Sequence, residues 1–212
     1  VIMLKIAHRG LSEHYPDNSK EAFIEAIKNG FDMLEVDIQL CKKNNIVIFH
    51  DTYFLSKAIN EFTIEECQKY GMLSLNELLT FVDTKKIKLF LDIKGSAEIS
   101  NYLVDLLLKH KVYFPNIYIS GFDRNHIKLL KSHNLNYKIG FTCETNYTIE
   151  DLEYLSKSID FICMHWTALN QENITYLQNK SLEVFSYTAK DYYILNYMKK
   201  YSLDGIISNF DF

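Results

Sequence analysis

The chain has 212 residues, of which 48% are hydrophobic and 24% charged, and its formal net charge at pH 7 is -4. This length suits one compact domain that buries roughly 70% of the surface of the unfolded chain. The near balance of 23 basic and 27 acidic residues excludes a nucleic-acid or membrane binder that works by net charge alone. Only 7 glycines and 2 prolines exclude fibrous and linker-like chains, and 14% aromatic residues exclude a disordered one.

The cysteines indicate a reducing environment. They are far apart and form no C-x-x-C pair, which is typical of small buried thiols rather than of a disulfide framework or a zinc site: Cys41, Cys67, Cys143 and Cys163. No run approaches the roughly 20 apolar residues of a membrane-spanning helix. We therefore predict a cytoplasmic protein with no integral membrane segment, although a signal peptide that has been removed leaves no trace in a mature chain.

Short apolar runs alternate with amphipathic stretches along the whole chain. The runs that predict strands are 4–7, 33–40, 46–49, 89–93, 117–120, 137–141, 161–164, 182–187 and 205–207. The stretches with helical spacing are 18–29, 75–83, 97–110, 124–133, 149–158, 171–179 and 191–201. This alternation predicts repeated βα units around a parallel sheet.

One connection is too short for a helical crossover. Only residues 41–45 separate the strand that ends at Leu40 from Ile46–Phe49, so these two runs are expected to form an antiparallel hairpin with His50 roughly opposite Asp37. Without that hairpin eight strands remain, the number a (β/α)8 TIM barrel needs. A doubly wound open sheet is the alternative, but no G-x-G-x-x-G turn follows any strand. The barrel is near its minimal length, and the sequence stops before a full closing helix.

Charged residues occur in two strands that should be apolar. Glu35 and Asp37 stand two residues apart and therefore on one face of a strand, and Asp92 and Lys94 share a face in the same way. In half-exposed edge strands such charges would simply lie in water. In parallel strands covered by helices they would be buried together, which is costly without a functional reason.

Two histidines stand at the ends of strands that are expected to finish at the same end of the barrel. His8, followed by Arg9, ends the first strand, and His50 ends the return strand of the hairpin. Because barrel active sites lie at the carboxyl ends of the strands, seven groups are expected to converge there: His8, Arg9, Glu35, Asp37, His50, Asp92 and Lys94. The other histidines lack such neighbours: His14, His110, His126, His133 and His165.

The types of residue in this group predict a reaction. Three carboxylates without clustered Cys or His ligands suit a hard divalent cation, Mg²⁺ or Ca²⁺. A cation with Arg9 and Lys94 can hold a phosphate, and two histidines can act as general base and general acid. Together they predict metal-assisted hydrolysis of a phosphodiester. Which histidine takes which role is open.

Five segments in order carry a family resemblance: His8-Arg9-Gly10, Tyr15-Pro16-Asp17-Asn18-Ser19, Leu34-Glu35-Val36-Asp37, Phe49-His50-Asp51 and Leu91-Asp92-Ile93-Lys94. In order and spacing they resemble the HRG, PENT-type, E-x-D, HD and E-I-K segments of the glycerophosphodiester phosphodiesterases. The resemblance is dense over residues 4–94 and diffuse beyond them.

The resemblance implies one barrel domain over residues 1–212 that cleaves glycerophosphodiesters to an alcohol and glycerol 3-phosphate. It also implies the roles of the residues: Glu35, Asp37 and Asp92 as metal ligands, His8 and His50 as the acid/base pair, and Arg9 and Lys94 as phosphate contacts. A small insertion over about 51–74, with one short helix at 64–69, would border the substrate pocket. Asp92 departs from the Glu that is usual in the family and is shorter by one methylene.

Two alternatives have their own expectations. A lysophospholipase D-like activity on lipid phosphodiesters would need an apolar rim for acyl chains, and phospholipase D toxins of related fold use Asp at a position comparable to Asp92. A barrel that binds phosphorylated ligands without turnover would have no need to keep both His8 and His50. Trp166 and Tyr187 follow late strands and either line the pocket or pack at the barrel rim.

Overall fold

The computed structural model describes residues 3–212, which form a closed barrel of eight parallel strands with helices on its outside, as predicted. In chain order the strands are β1 (Leu4–His8), β2 (Met33–Leu40), β3 (Ile46–Ile48), β4 (Tyr53–Phe54), β5 (Lys57–Ala58), β6 (Leu73–Ser74), β7 (Lys88–Ile93), β8 (Ile117–Gly121), β9 (Lys138–Cys143), β10 (Phe161–His165), β11 (Glu183–Ala189) and β12 (Gly205–Ser208). The α-helices are α1 (Lys20–Lys28), α2 (Ile64–Lys69), α3 (Leu75–Phe81), α4 (Ile99–Lys109), α5 (Asn125–Lys131), α6 (Ile149–Ser156), α7 (Gln171–Asn179) and α8 (Tyr192–Met198).

The barrel closes because β1 pairs in parallel with both β12 and β2. Around the ring the order is β1, β12, β11, β10, β9, β8, β7 and β2. β10 therefore lies four strands from β2 in either direction, on the opposite wall. Residues 209–212, which follow β12, are not helical.

The hairpin after β2 is confirmed. β3 pairs antiparallel with β2, and the Phe49 backbone N–H donates to the Asp37 carbonyl at 3.1 Å, which places His50 one residue beyond that pair. β6 pairs with β3 in turn, and β4 and β5 form a separate two-stranded sheet. The insertion over about 51–74 thus contains three short strands in addition to the expected helix α2 (Ile64–Lys69).

Aromatic side chains fill the lower half of the barrel interior. Phe90, Tyr118, Phe161 and Phe185 pack against one another, with Phe90 and Phe161 edge to face at 5.4 Å. A Cβ at Gly140 would lie 2.3 Å from the Phe161 ring, so this strand position is glycine because the ring occupies the space. These large side chains fill the end of the barrel where the strands begin and leave the end where the strands finish to polar residues.

Several helices begin later or end earlier than their apolar spacing predicts. α1 begins at Lys20 because Ser19 is its N-cap, and the Ser19 Oγ accepts a hydrogen bond from the Ala22 N–H at 3.1 Å. α8 begins at Tyr192 because Asp191 caps it in the same way. The longest helix of residues 3–212 has 11 residues, and none of them could span a bilayer.

Candidate active site

Three buried carboxylates meet at the carboxyl ends of β2 and β7. Asp37 and Asp92 are paired in register on these adjacent strands, and Glu35 lies two residues earlier on the same face of β2. One oxygen from each lies within 4.8 Å of the others. The strand alternation that puts the aromatic residues of the lower barrel inside also puts these three side chains inside, as predicted.

The three carboxyl groups differ in the direction in which their surroundings shift the pKa. Burial, reinforced by the charges of Asp37 and Asp92, raises the pKa of Glu35 well above its usual value. Burial also raises the pKa of Asp92, with Lys94 opposing the change. Burial acts on Asp37 in the same direction, but Lys94 and Arg9 outweigh it and lower the pKa of that carboxyl group. Asp37 is therefore the carboxylate that the protein's own cations keep ionised.

Both predicted cations contact this cluster. The Lys94 ammonium lies 2.5 Å from Asp92 Oδ2 and 3.1 Å from Asp37 Oδ1. The Arg9 guanidinium lies 2.9 Å from Asp37 Oδ2 through Nε and 2.7 Å from Asp17 Oδ2 through NH1. Both side chains are mostly buried, so their charges act in a medium of low dielectric constant.

The loop after β1 is shaped to reach the carboxylates through its backbone. Arg9 has φ +56°, and its N–H donates to Glu35 Oε2 at 2.9 Å. Gly10 follows at φ +81°, where a Cβ would lie 2.6 Å from the Ala22 backbone, so the H-R-G sequence needs its glycine. Asn18 is also left-handed, and its amide donates to Asp37 Oδ2 at 2.9 Å. Asn18 is thus bound to Asp37, while its neighbour Ser19 caps the helix.

Two histidines flank the cluster in different surroundings. His8 Nδ1 lies 2.7 Å from Asn209 Oδ1, and burial together with the charge of Arg9 lowers the pKa of His8 to about 4. His50 is 43% exposed, and its Nδ1 lies 2.7 Å from Asp51 Oδ1. Asn209 is a partner that the sequence motifs do not identify, because it is 201 residues from His8 along the chain.

A cavity of about 520 Å³ opens at this end of the barrel, and all seven predicted residues line it. Its opposite wall is formed by residues at or just beyond the carboxyl ends of β9, β10 and β11, among them Glu144, His165, Trp166, Tyr187 and Lys190. Trp166 and Tyr187 both line the cavity, and Trp166 also packs at the rim, edge to face on Tyr197 at 5.6 Å. Sequence reasoning missed His165, although it ends β10 in the way that His8 ends β1.

The insertion lies beside the hairpin rather than at the cavity. Its apolar side chains pack on Val47 and Cys41, and no described residue from 53–73 lines the cavity. The insertion over about 51–74 was expected to border the pocket, but none of its described residues lines the cavity.

The carboxylate cluster fits a divalent cation. Asp92 Oδ1 is buried and, among the residues that the structure describes, forms no hydrogen bond, and the buried Asp37 Oδ1 has only the ion pair with Lys94 at 3.1 Å described above. A hard cation would be bound by oxygens such as these and would offset the repulsion among Glu35, Asp37 and Asp92. Oxygen ligands alone favour Mg²⁺ or Ca²⁺ over zinc.

The sequence of this chain is similar to those of one known protein family. The sequence model of the glycerophosphoryl diester phosphodiesterase family matches residues 8–211. A Bacillus subtilis protein provisionally named as a glycerophosphodiester phosphodiesterase is 25% identical, over 98% of this chain and 95% of its own length.

Solved structures show the same fold. The Thermotoga maritima glycerophosphodiester phosphodiesterase is 24% identical with a TM-score of 0.83, over 99% of this chain and 95% of that one. An Oleispira antarctica phosphodiesterase, solved in complex with the product sn-glycerol-3-phosphate, is 20% identical with a TM-score of 0.86, over 98% and 93%. At these identities the two structures establish the fold.

Proposed function

This chain belongs to the glycerophosphoryl diester phosphodiesterase family, and from that premise we propose that it hydrolyses glycerophosphodiesters to an alcohol and glycerol 3-phosphate by metal-assisted histidine catalysis. The single observation that carries the proposal is the convergence of three buried carboxylates, two cations and two histidines on one cavity. The substrate is a small molecule, and a cytoplasmic location stays a prediction.

The phosphate is held between cations of the protein. Lys94 and Arg9 present positive charge beside the cluster, and each is fixed by a carboxylate so that it is oriented before substrate arrives. Glu35, Asp37 and Asp92 would bind Mg²⁺ or Ca²⁺ there. The cation, when bound, supplies charge neutralisation for the phosphoryl oxygens.

The hydrogen bonds of the two histidines favour different roles. Asn209 Oδ1 can only accept, so the His8 Nδ1 carries hydrogen and its Nε2 is left as a free lone pair. With its pKa lowered to about 4, His8 stays neutral near pH 7, which suits a general base toward water or a substrate hydroxyl. The Asp51 carboxylate beside His50 Nδ1 can stabilise a positive ring, which suits a general acid that protonates the leaving alkoxide.

The first test is product analysis with glycerophosphocholine and glycerophosphoethanolamine in Mg²⁺, Ca²⁺ or EDTA. We expect glycerol 3-phosphate in metal and none in EDTA or in His8→Ala. A surface control, His14→Ala, replaces a histidine that is 64% exposed and should leave turnover unchanged. Turnover that survives EDTA and His8→Ala would contradict the proposal, and turnover of lysophosphatidylcholine alone would favour the lipid phosphodiesterase alternative.

The roles of the histidines are separated by the leaving group. A p-nitrophenyl diester releases a phenolate that needs no proton, so it should restore most of the activity lost in His50→Ala. It should not restore His8→Ala, because attack still needs a base. The reverse pattern would exchange the two roles, and equal restoration of both would refute the assignment.

A further inference from the structure

His165 is a third histidine at the cavity, on the wall that faces the carboxylates. It ends β10, which lies four strands around the ring from β2 and its Glu35 and Asp37. It is partly buried and lines the same cavity as the catalytic candidates.

Its hydrogen bonds fix which ring nitrogen is the donor. The Thr167 backbone N–H donates to His165 Nδ1 at 3.4 Å, and the Thr167 hydroxyl lies 2.7 Å from the same atom. A backbone N–H cannot accept, so Nδ1 is the acceptor and Nε2 carries the hydrogen in the neutral ring. Burial lowers the pKa of His165, which favours that neutral form. Among residues 3–212, no protein group forms a hydrogen bond with Nε2.

Neighbouring side chains hold the ring in place. The Tyr187 ring packs edge to face on His165 at 5.3 Å and 76°, and the Tyr187 hydroxyl donates to the Cys143 carbonyl at 3.2 Å. The next residue, Trp166, packs edge to face on Tyr197 of helix α8. The Nε2–H of His165 is therefore a fixed, neutral donor that points to no protein partner.

We propose that His165 donates a hydrogen bond to the terminal hydroxyl of the substrate's glycerol, and so selects glycerol over other alkyl groups. The inference rests on the proposed function. A neutral N–H needs an acceptor oxygen, which a hydroxyl offers, whereas the ammonium of ethanolamine and the quaternary nitrogen of choline offer none. The terminal hydroxyl is the one farther from the phosphate, and His165 is on the wall opposite the phosphate-binding cations.

The test compares two substrates that differ by one oxygen: glycerophosphocholine and 2-hydroxypropyl phosphocholine, which lacks only the terminal hydroxyl. His165→Phe keeps a ring against Tyr187 and removes the donor. It should lower kcat/KM for glycerophosphocholine about 10-fold, the effect of one neutral hydrogen bond. For the deoxy substrate it should change kcat/KM by less than about 2-fold. His165→Gln, which returns an N–H, should recover part of the loss.

Controls separate this role from a structural one. His110→Phe replaces a histidine at the end of α4, outside the cavity, and should affect neither substrate. Equal losses on both substrates in His165→Phe, or a loss that depends on whether the head group is choline or ethanolamine, would overturn the inference.

A binding measurement distinguishes failure of the inference from failure of the proposed function. Calorimetry with sn-glycerol 3-phosphate and its 1-deoxy analogue in Mg²⁺ needs no turnover. We expect wild type to prefer sn-glycerol 3-phosphate about 10-fold and His165→Phe to lose the preference. Absence of turnover with this binding pattern intact would sink only the proposed function. Equal binding of the two ligands by wild type, or no binding, would refute the role of His165.

Discussion

Replacing Glu35 by Gln should stabilise the protein without metal and abolish its response to metal. Glu35 is buried, and the charges of Asp37 and Asp92 add to burial in raising its pKa. Gln has nearly the same shape, can still accept the hydrogen bond from the Arg9 N–H, and can donate to the neighbouring carboxylates. The substitution therefore removes a carboxyl group that is unfavourable in the folded state and leaves its packing in place.

The size of the effect follows from proton linkage. An unperturbed Glu has a pKa of 4.5, and the folded value lies well above it. Below pH 4.5 Glu35 is mostly protonated in both the folded and the unfolded state and hardly lowers the free energy of unfolding. As the pH rises, each unit up to the folded pKa costs about 1.4 kcal/mol, and beyond that pKa the cost is constant. The interval from 4.5 to pH 7 limits the cost to about 3.5 kcal/mol, so Glu35→Gln should gain stability up to about that limit at pH 7 and almost none at pH 4.

Urea unfolding in EDTA at pH 4 and pH 7 measures this difference. In Mg²⁺ wild type should gain roughly 3 kcal/mol at a concentration 100 times the Kd, whereas Glu35→Gln should gain much less and have no turnover. Glu183→Gln is the matched control, because burial raises the pKa of Glu183 as well, but at the opposite end of the barrel. Glu183→Gln should show a pH-dependent gain in the free energy of unfolding as well, and Mg²⁺ should still stabilise it. A Glu35→Gln protein that is less stable than wild type at pH 7 in EDTA would refute the account of repelling carboxylates.

Three further predictions concern single contacts. Asn18→Ala should lower both stability, by about 1–2 kcal/mol, and turnover, because Asp37 loses a buried donor; Asn18→Gly, which tolerates φ +59°, separates that loss from backbone strain in the same urea and product assays. Gly140→Ala should lower the free energy of unfolding by more than about 2 kcal/mol, and Phe161→Leu in the same chain should restore part of it; an additive double variant would contradict the clash. Asp92→Glu should retain or raise metal-dependent turnover if the longer ligand is the better one, whereas complete loss would mean that the site is built around the shorter side chain.

The fold was predictable because its signals are local. The spacing of apolar residues predicts each of the eight barrel strands, and the short connection after β2 predicts the hairpin. The first residues of the helices were less predictable, because N-caps decide them: Ser19 and Asp191 begin their helices by accepting backbone hydrogen bonds. The short strands of the insertion have too few residues to show a period of two.

The sequence by itself determined which polar residues would converge, because strand alternation and the common direction of parallel strands place Glu35, Asp37 and Asp92 at one end of one barrel. Only the tertiary structure decided which residues from the second half of the chain join these carboxylates and His8 at the cavity. Asn209 reaches His8 across the closure of β12 on β1, and His165 faces the carboxylates because β10 falls opposite β2 in the ring. Such contacts depend on the order and closure of the strands, which the spacing of residues along the chain does not specify.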